Sequence, residues 1–144
     1  MKRLILAINL LAGTALSVAP ALAAYMPQDT PSVMNGVEVV CTGVGSAKND
    51  PRWASYPVRL EFSNKGGQYV AGEHVLLNQN GKHIAALDCD APWVLFKAPG
   101  GEYSVTSMLP SEPATVAHTV TFATSDTGRQ KVVEVTFSRL PPNQ

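Results

Sequence analysis

The chain has 144 residues, 11 basic side chains balanced by 11 acidic ones, 45% hydrophobic and only 15% charged residues. That length suits one domain, and the neutral charge excludes a basic nucleic-acid-binding arm. So apolar a composition can build a core and is not that of a disordered tail.

Met1, Lys2 and Arg3 give a positive start, Leu4 to Leu16 is almost wholly apolar, and Ala21-Leu22-Ala23 places small residues before a cut. The pattern predicts a secretory signal peptide over residues 1–23, cleaved after Ala23. A retained anchor needs about 20 apolar residues, whereas Asn9, Gly13, Thr14 and Ser17 interrupt this run and Pro20 ends it. Without Lys2 and Arg3, acidic side chains outnumber basic ones by two, so nothing steers the chain to nucleic acid or another anionic partner. No further apolar stretch of spanning length follows, and the expectation is a periplasmic or secreted protein with no membrane span. In an oxidising compartment Cys41 and Cys89, the only cysteines, are expected to form one disulfide. They lack the C-x-x-C spacing of a redox pair.

Residues 24–36, with Pro27 and Pro31, read as a flexible lead-in. The domain is expected over 37–140, with a tail at 141–144. Val37 to Cys41 starts the first strand. Val58, Leu60 and Phe62 alternate with Arg59 and Glu61, the period of a strand with one buried face. Tyr69 to Leu77 and His83 to Cys89 flank Asn80-Gly81, which can adopt the positive φ angles of a tight hairpin. Trp93 to Lys97 is a further strand, stopped by Pro99-Gly100-Gly101, and Tyr103, Val105 and Ser107 alternate on the next. Thr115 to Phe122 and Lys131 to Leu140 complete the set, with Val133, Val135 and Phe137 on one side. No segment shows a useful 3.6-residue period. Short strands punctuated by turns predict an all-β, seven-stranded antiparallel sandwich.

The stretch VAGEHVLLNQNGKHIAALDCDAPWVLFKAPGGEYSV, about a quarter of the chain, resembles the carboxypeptidase regulatory-like domain, a transthyretin-like (prealbumin-like) sandwich akin to immunoglobulin folds. Val70, Gly72, Val75 and Leu77 fall on that family's strand positions, and Asp88 on its Asp before a turn. Pro99, Gly101, Tyr103 and Val105 match its closing turn and strand. The resemblance implies that Trp93 and Leu95 point inward and Val94 and Phe96 outward. Ala91 stands where the family usually has glycine, Glu73 where it has alanine, Ala98 where it has leucine, and Gly100 replaces a second proline. A second resemblance, which includes CTGVGSAKNDPRWASYP, is to small exported bacterial proteins carrying such a domain alone. These domains are structural or binding appendages, so the resemblance implies a non-catalytic protein, and fold alone does not fix function.

The residues themselves assign no chemistry. His74 and His83 lie near Glu73, Asp88 and Asp90 in sequence, with His118 farther along, but without the fixed short ligand spacing of a zinc motif or the alternating acids of a calcium loop. No metal and no cofactor is expected. A G-x-S-x-G elbow is absent, and Gly43-Val44-Gly45 lacks the following helix of a phosphate cradle, so no enzyme is expected either. In the long loop after the first strand, Arg52, Trp53 and Tyr56 could anchor a protein partner or stack on a sugar. The competing reading packs Trp53 onto the sandwich. Val94 and Phe96, if uncovered, would add a second apolar surface. The expected function is that of an exported, non-catalytic structural or protein-binding accessory in the cell envelope, its partner an envelope protein or glycan, with a carbohydrate-binding module using exposed aromatic residues as the alternative.

Overall fold

The computed structural model describes residues 23–110, 112, 117–125 and 128–138. Residues 1–22 of the predicted signal peptide and the 141–144 tail lie outside the described residues, as do Thr115 and Leu140, the expected ends of two strands. In chain order the strands are β1 Ala24–Met26, β2 Ser32–Met34, β3 Val37–Thr42, β4 Val58–Asn64, β5 Glu73–Gln79, β6 Lys82–Cys89, β7 Trp93–Lys97, β8 Gly101–Met108, β9 His118–Thr124 and β10 Lys131–Phe137. Two 3₁₀ turns, Gly45–Asn49 and Pro51–Ser55, lie between β3 and β4. The strands form two five-stranded sheets, the first in the order β1-β6-β5-β8-β9 and the second in the order β10-β4-β7-β3-β2.

Period-2 alternation decides which face each strand buries. Val58, Leu60 and Phe62 of β4, Val133, Val135 and Phe137 of β10, and Tyr103 and Val105 of β8 all enter one core between the sheets, with Val39, Val75, Leu77 and Leu87. Asn80 and Gly81, at φ 49° and 77°, turn β5 into β6 as their left-handed preference requires. Tyr103 donates its hydroxyl to the Pro99 carbonyl at 2.6 Å, which fastens the turn before β8 to the core. Cys41 and Cys89 are disulfide-bonded, with Cα atoms 5.6 Å apart, and so tie β3 of the second sheet to β6 of the first.

Four features depart from the sequence expectation. The described residues hold ten strands, not seven, and the sheets are mixed: β1 pairs parallel with β6 and β10 parallel with β4. The lead-in belongs to the fold. Its start extends the first sheet, its end extends the second through β2 and β3, and Gln28 bridges to Cys41 between them. Thr42 Oγ1 donates to the Asp29 carboxylate at 2.6 Å and Gln28 to the Asp90 carbonyl at 2.7 Å, contacts that no local periodicity announces.

The facing of β7 is the reverse of the expectation. Val94 and Phe96 point into the main core, while Trp93 and Leu95 point outward into a second cluster. The cause is its position. β7 lies between β4 and β3 and is covered on both sides, so an unbroken apolar run gives no clue to which residues face which core.

Candidate binding face on the second sheet

The outer side of the second sheet carries the arrangement with most potential for recognition. Across β3, β7 and β4, register places Glu38 opposite Lys97, Val40 opposite Leu95, and Leu95 opposite Arg59, with Trp93 between Thr42 and Glu61. The loop from 43 to 57 lies over this face. Its Trp53 and Tyr56 join Val40, Trp93 and Leu95 in a compact outer cluster, with the Trp53 and Tyr56 rings edge to face at 5.9 Å.

Local chemistry holds the loop in place. Asp50 caps the second 3₁₀ turn by accepting from the Arg52 amide at 2.9 Å, and Pro51 suits that first position because its missing N–H costs nothing there. The Trp53 indole donates to the Ala47 carbonyl at 2.9 Å. Gln130 donates to the carbonyls of Trp53 and Tyr56 at 2.7 and 2.9 Å, so the segment before β10 clamps the loop from outside. Sequence reading offers no signal for Gln130, which lies 74 residues from Tyr56.

Arg52, Trp53 and Tyr56 are therefore brought together, but in different roles. Trp53 and Tyr56 are buried and serve packing. Arg52 keeps its side chain 60% exposed, paired with Asp50 at 2.7 Å and laid over the Trp53 ring at 4.6 Å. Val94 and Phe96 are fully inside the main core and contribute nothing to this face or to any other surface. Beside Arg52, a shallow depression of about 320 Å³ is lined by Pro31, Glu38, Pro51, Arg52, Trp53, Ser55, Tyr56 and Lys97.

Electrostatics in the depression are set by close partners. The Tyr56 hydroxyl donates to the Glu38 carboxylate, and Lys97 Nζ lies 3.0 Å from the same oxygen and 4.7 Å from the Tyr56 ring centroid. The bond from Tyr56, then that from Lys97, holds Glu38 below the usual carboxylate range. Burial, reinforced by Glu38, raises the Tyr56 phenol, so it stays the protonated donor of this pair. Asp50 is lowered by its bonds from Arg52. Among the described residues no group of three or more His, Cys, Asp or Glu side chains could hold a metal ion.

At the other end of the same face, Tyr69 was not singled out by sequence. The residue is 41% exposed, and its ring stands edge to face on Trp93 at 6.3 Å and carries Lys48 Nζ 4.2 Å from its centroid. Arg59 lies over Trp93 at 4.4 Å and Val44 is exposed nearby in the chain. The available signal was composition: an aromatic between Gly67 and Gly72, bridged to Ser63 just before β5 rather than inside a strand.

Comparison of the chain with protein-family models, with curated proteins and with solved structures returns no match.

Proposed function

We propose that this is an exported, non-catalytic accessory protein of the cell envelope that binds a protein partner through the outer face of its second sheet. The supporting observation is the preorganised Arg52: its guanidinium is fixed by Asp50 and Trp53, its charge is exposed, and it borders a depression flanked by two prolines. A rigid, exposed arginine loses little freedom on binding and is a frequent anchor of protein interfaces. The reading of the sandwich as a carboxypeptidase regulatory-like, transthyretin-like domain belongs to the same proposal. It draws on the quoted stretch and on the all-β, disulfide-linked architecture.

A sugar-binding reading is favoured by one observation only, the exposed Tyr69 ring beside Trp93. Trp53 is unavailable for stacking. The test is recovery of partners from an envelope fraction by wild type, Arg52→Ala and Tyr69→Ala. Loss of one protein with Arg52→Ala supports the proposal, and equal recovery by all three removes this face from it. Tyrosine fluorescence changes on glycan addition that vanish in Tyr69→Ala favour the sugar reading.

A further inference from the structure

Glu73 is the largest anomaly in the core. It begins β5, shares the inward face with Val75 and Leu77, and is 0% exposed. Neither carboxyl oxygen has a hydrogen-bond partner in any other described residue, and only Glu73's own backbone amide bears on the carboxyl. Register puts it in an inward row across the first sheet, Met26 beside Cys89 beside Glu73. The disulfide joins that row to Cys41, which pairs with Val94 in the opposite sheet.

An ionised carboxylate in such a place lacks both water and a counter-charge. Among the described residues Asp90 is the one charged group that acts on it, and Asp90 is negative. The other titratable groups of the surrounding elements are engaged elsewhere. His74 of β5 and Asp88 of β6 bond each other at 2.7 Å on the far face of the sheet, and Asp29 accepts from Thr42. Glu38 of β3 is held by Tyr56 and Lys97, Arg59 and Glu61 of β4 pair at 2.9 Å, and Glu112 beyond β8 faces His118 at 3.7 Å. Burial first, then Asp90, holds the Glu73 carboxyl well above the usual carboxylate range.

The cover over this end is thin. β1 contributes three residues, pairs with β6 alone and forms the edge of its sheet. Between it and Pro110 lies a depression of about 260 Å³ lined by Tyr25, Gly72, Asp88, Cys89, Asp90 and Pro110. Cys89, the neighbour of Glu73 in the row, forms part of that lining, so the depression is the short route for water.

We propose that this end of the sandwich is a pH-operated latch, in which protonated Glu73 keeps the end closed and its ionisation admits water through the Tyr25–Pro110 depression and unseats β1. The disulfide, which leaves that same row at Cys89, keeps the two sheets joined there and confines the opening to β1 and the cover beside it. β1 and the Asp29 and Gly72 segments around it become available to solvent or to another chain as the pH rises.

Hydrogen–deuterium exchange on the purified protein tests the latch, with rates divided by the intrinsic rate at each pH between about pH 5 and pH 9. One proton is linked to opening, so protection of the Asp29 and Gly72 amides, which bond the Cys41 and Cys89 carbonyls, falls by up to about tenfold per pH unit. Leu77, in the middle of β5, stays better protected than either amide at every pH, because it exchanges only with global unfolding. In Glu73→Gln the dependence disappears, and Glu73→Met serves the same purpose if the glutamine variant does not fold. Wild-type protection that is flat with pH, an unchanged dependence in the folded variant, or protection at Asp29 and Gly72 equal to that at Leu77 at every pH, which signals that they open only by global unfolding, overturns the proposal.

Discussion

The Trp93 indole rests directly on Gly43: a β-carbon built at residue 43 would lie 2.7 Å from Trp93 Cγ. Gly43 also has φ 101°, a left-handed angle that side chains rarely adopt. Gly43 is thus the seat of the outer aromatic cluster, and it lets the loop start close enough to cover Trp93 and Leu95.

Gly43→Ala is therefore expected to lower stability by about 2 to 4 kcal/mol, combining backbone strain with displacement of a packed ring. Gly36→Ala is the control, since it shares a positive φ of 80° but meets nothing within 4 Å. It should cost about 1 kcal/mol. Urea unfolding of the two variants checks the difference, and equal losses would mean that Trp93 moves aside freely.

Removal of the Cys41–Cys89 cross-link, by reduction or by Cys41→Ser with Cys89→Ser, should cost about 4 kcal/mol on the loop-entropy model for a separation of 48 residues. Denaturant midpoints of oxidised and reduced protein measure this. A loss below about 1 kcal/mol would show that the unfolded chain gains little freedom from reduction.

The Glu73 carboxyl has its pKa raised in the fold above an ordinary value of 4.5. The sign follows from proton linkage. Below that value both states are protonated and the fold pays no penalty. Above it the unfolded chain ionises first, so stability falls as the pH rises toward the folded pKa, by at most about 1.4 kcal/mol per pH unit. Subtracting the Glu73→Gln stability curve from that of wild type should isolate this slope, and a difference curve that is level above pH 4.5 contradicts it.

Glu38 behaves oppositely. Its pKa is depressed, first by the Tyr56 hydroxyl and then by Lys97, so its contribution is present above the ordinary carboxylate pKa and is lost as the pH falls through the depressed one. Tyr56→Phe should raise the Glu38 pKa in a carbon-detected NMR titration. No movement would place the dominant influence with Lys97.

Much of this fold was legible because alternation is a local property. Val58, Leu60 and Phe62, or Val133, Val135 and Phe137, declare their buried face without reference to any other strand, and Asn80-Gly81 declares its hairpin. The pairing of Cys41 with Cys89 followed from there being only two. The facing of Trp93 to Phe96 was not legible, because both sides of β7 are covered and either register buries apolar groups. Nor was the role of the lead-in, whose strands of three residues are too short for a period to show. Glu73 illustrates the limit from the other side: its alternation with Val75 and Leu77 points inward, while its charge points outward. Within the candidate face, Arg52, Trp53 and Tyr56 do gather, but Glu38, Lys97, Tyr69 and Gln130 join them only through strand register and long-range contacts.

The proposal that the loop-covered face meets a partner is tested most directly by site-specific photocrosslinking in the producing cell, with the reactive residue at position 52 and, for comparison, at position 104 on the outer side of the first sheet. The account predicts one discrete cross-linked protein from position 52 and none from position 104. Cross-links of equal yield from both positions, or from position 104 alone, would contradict it.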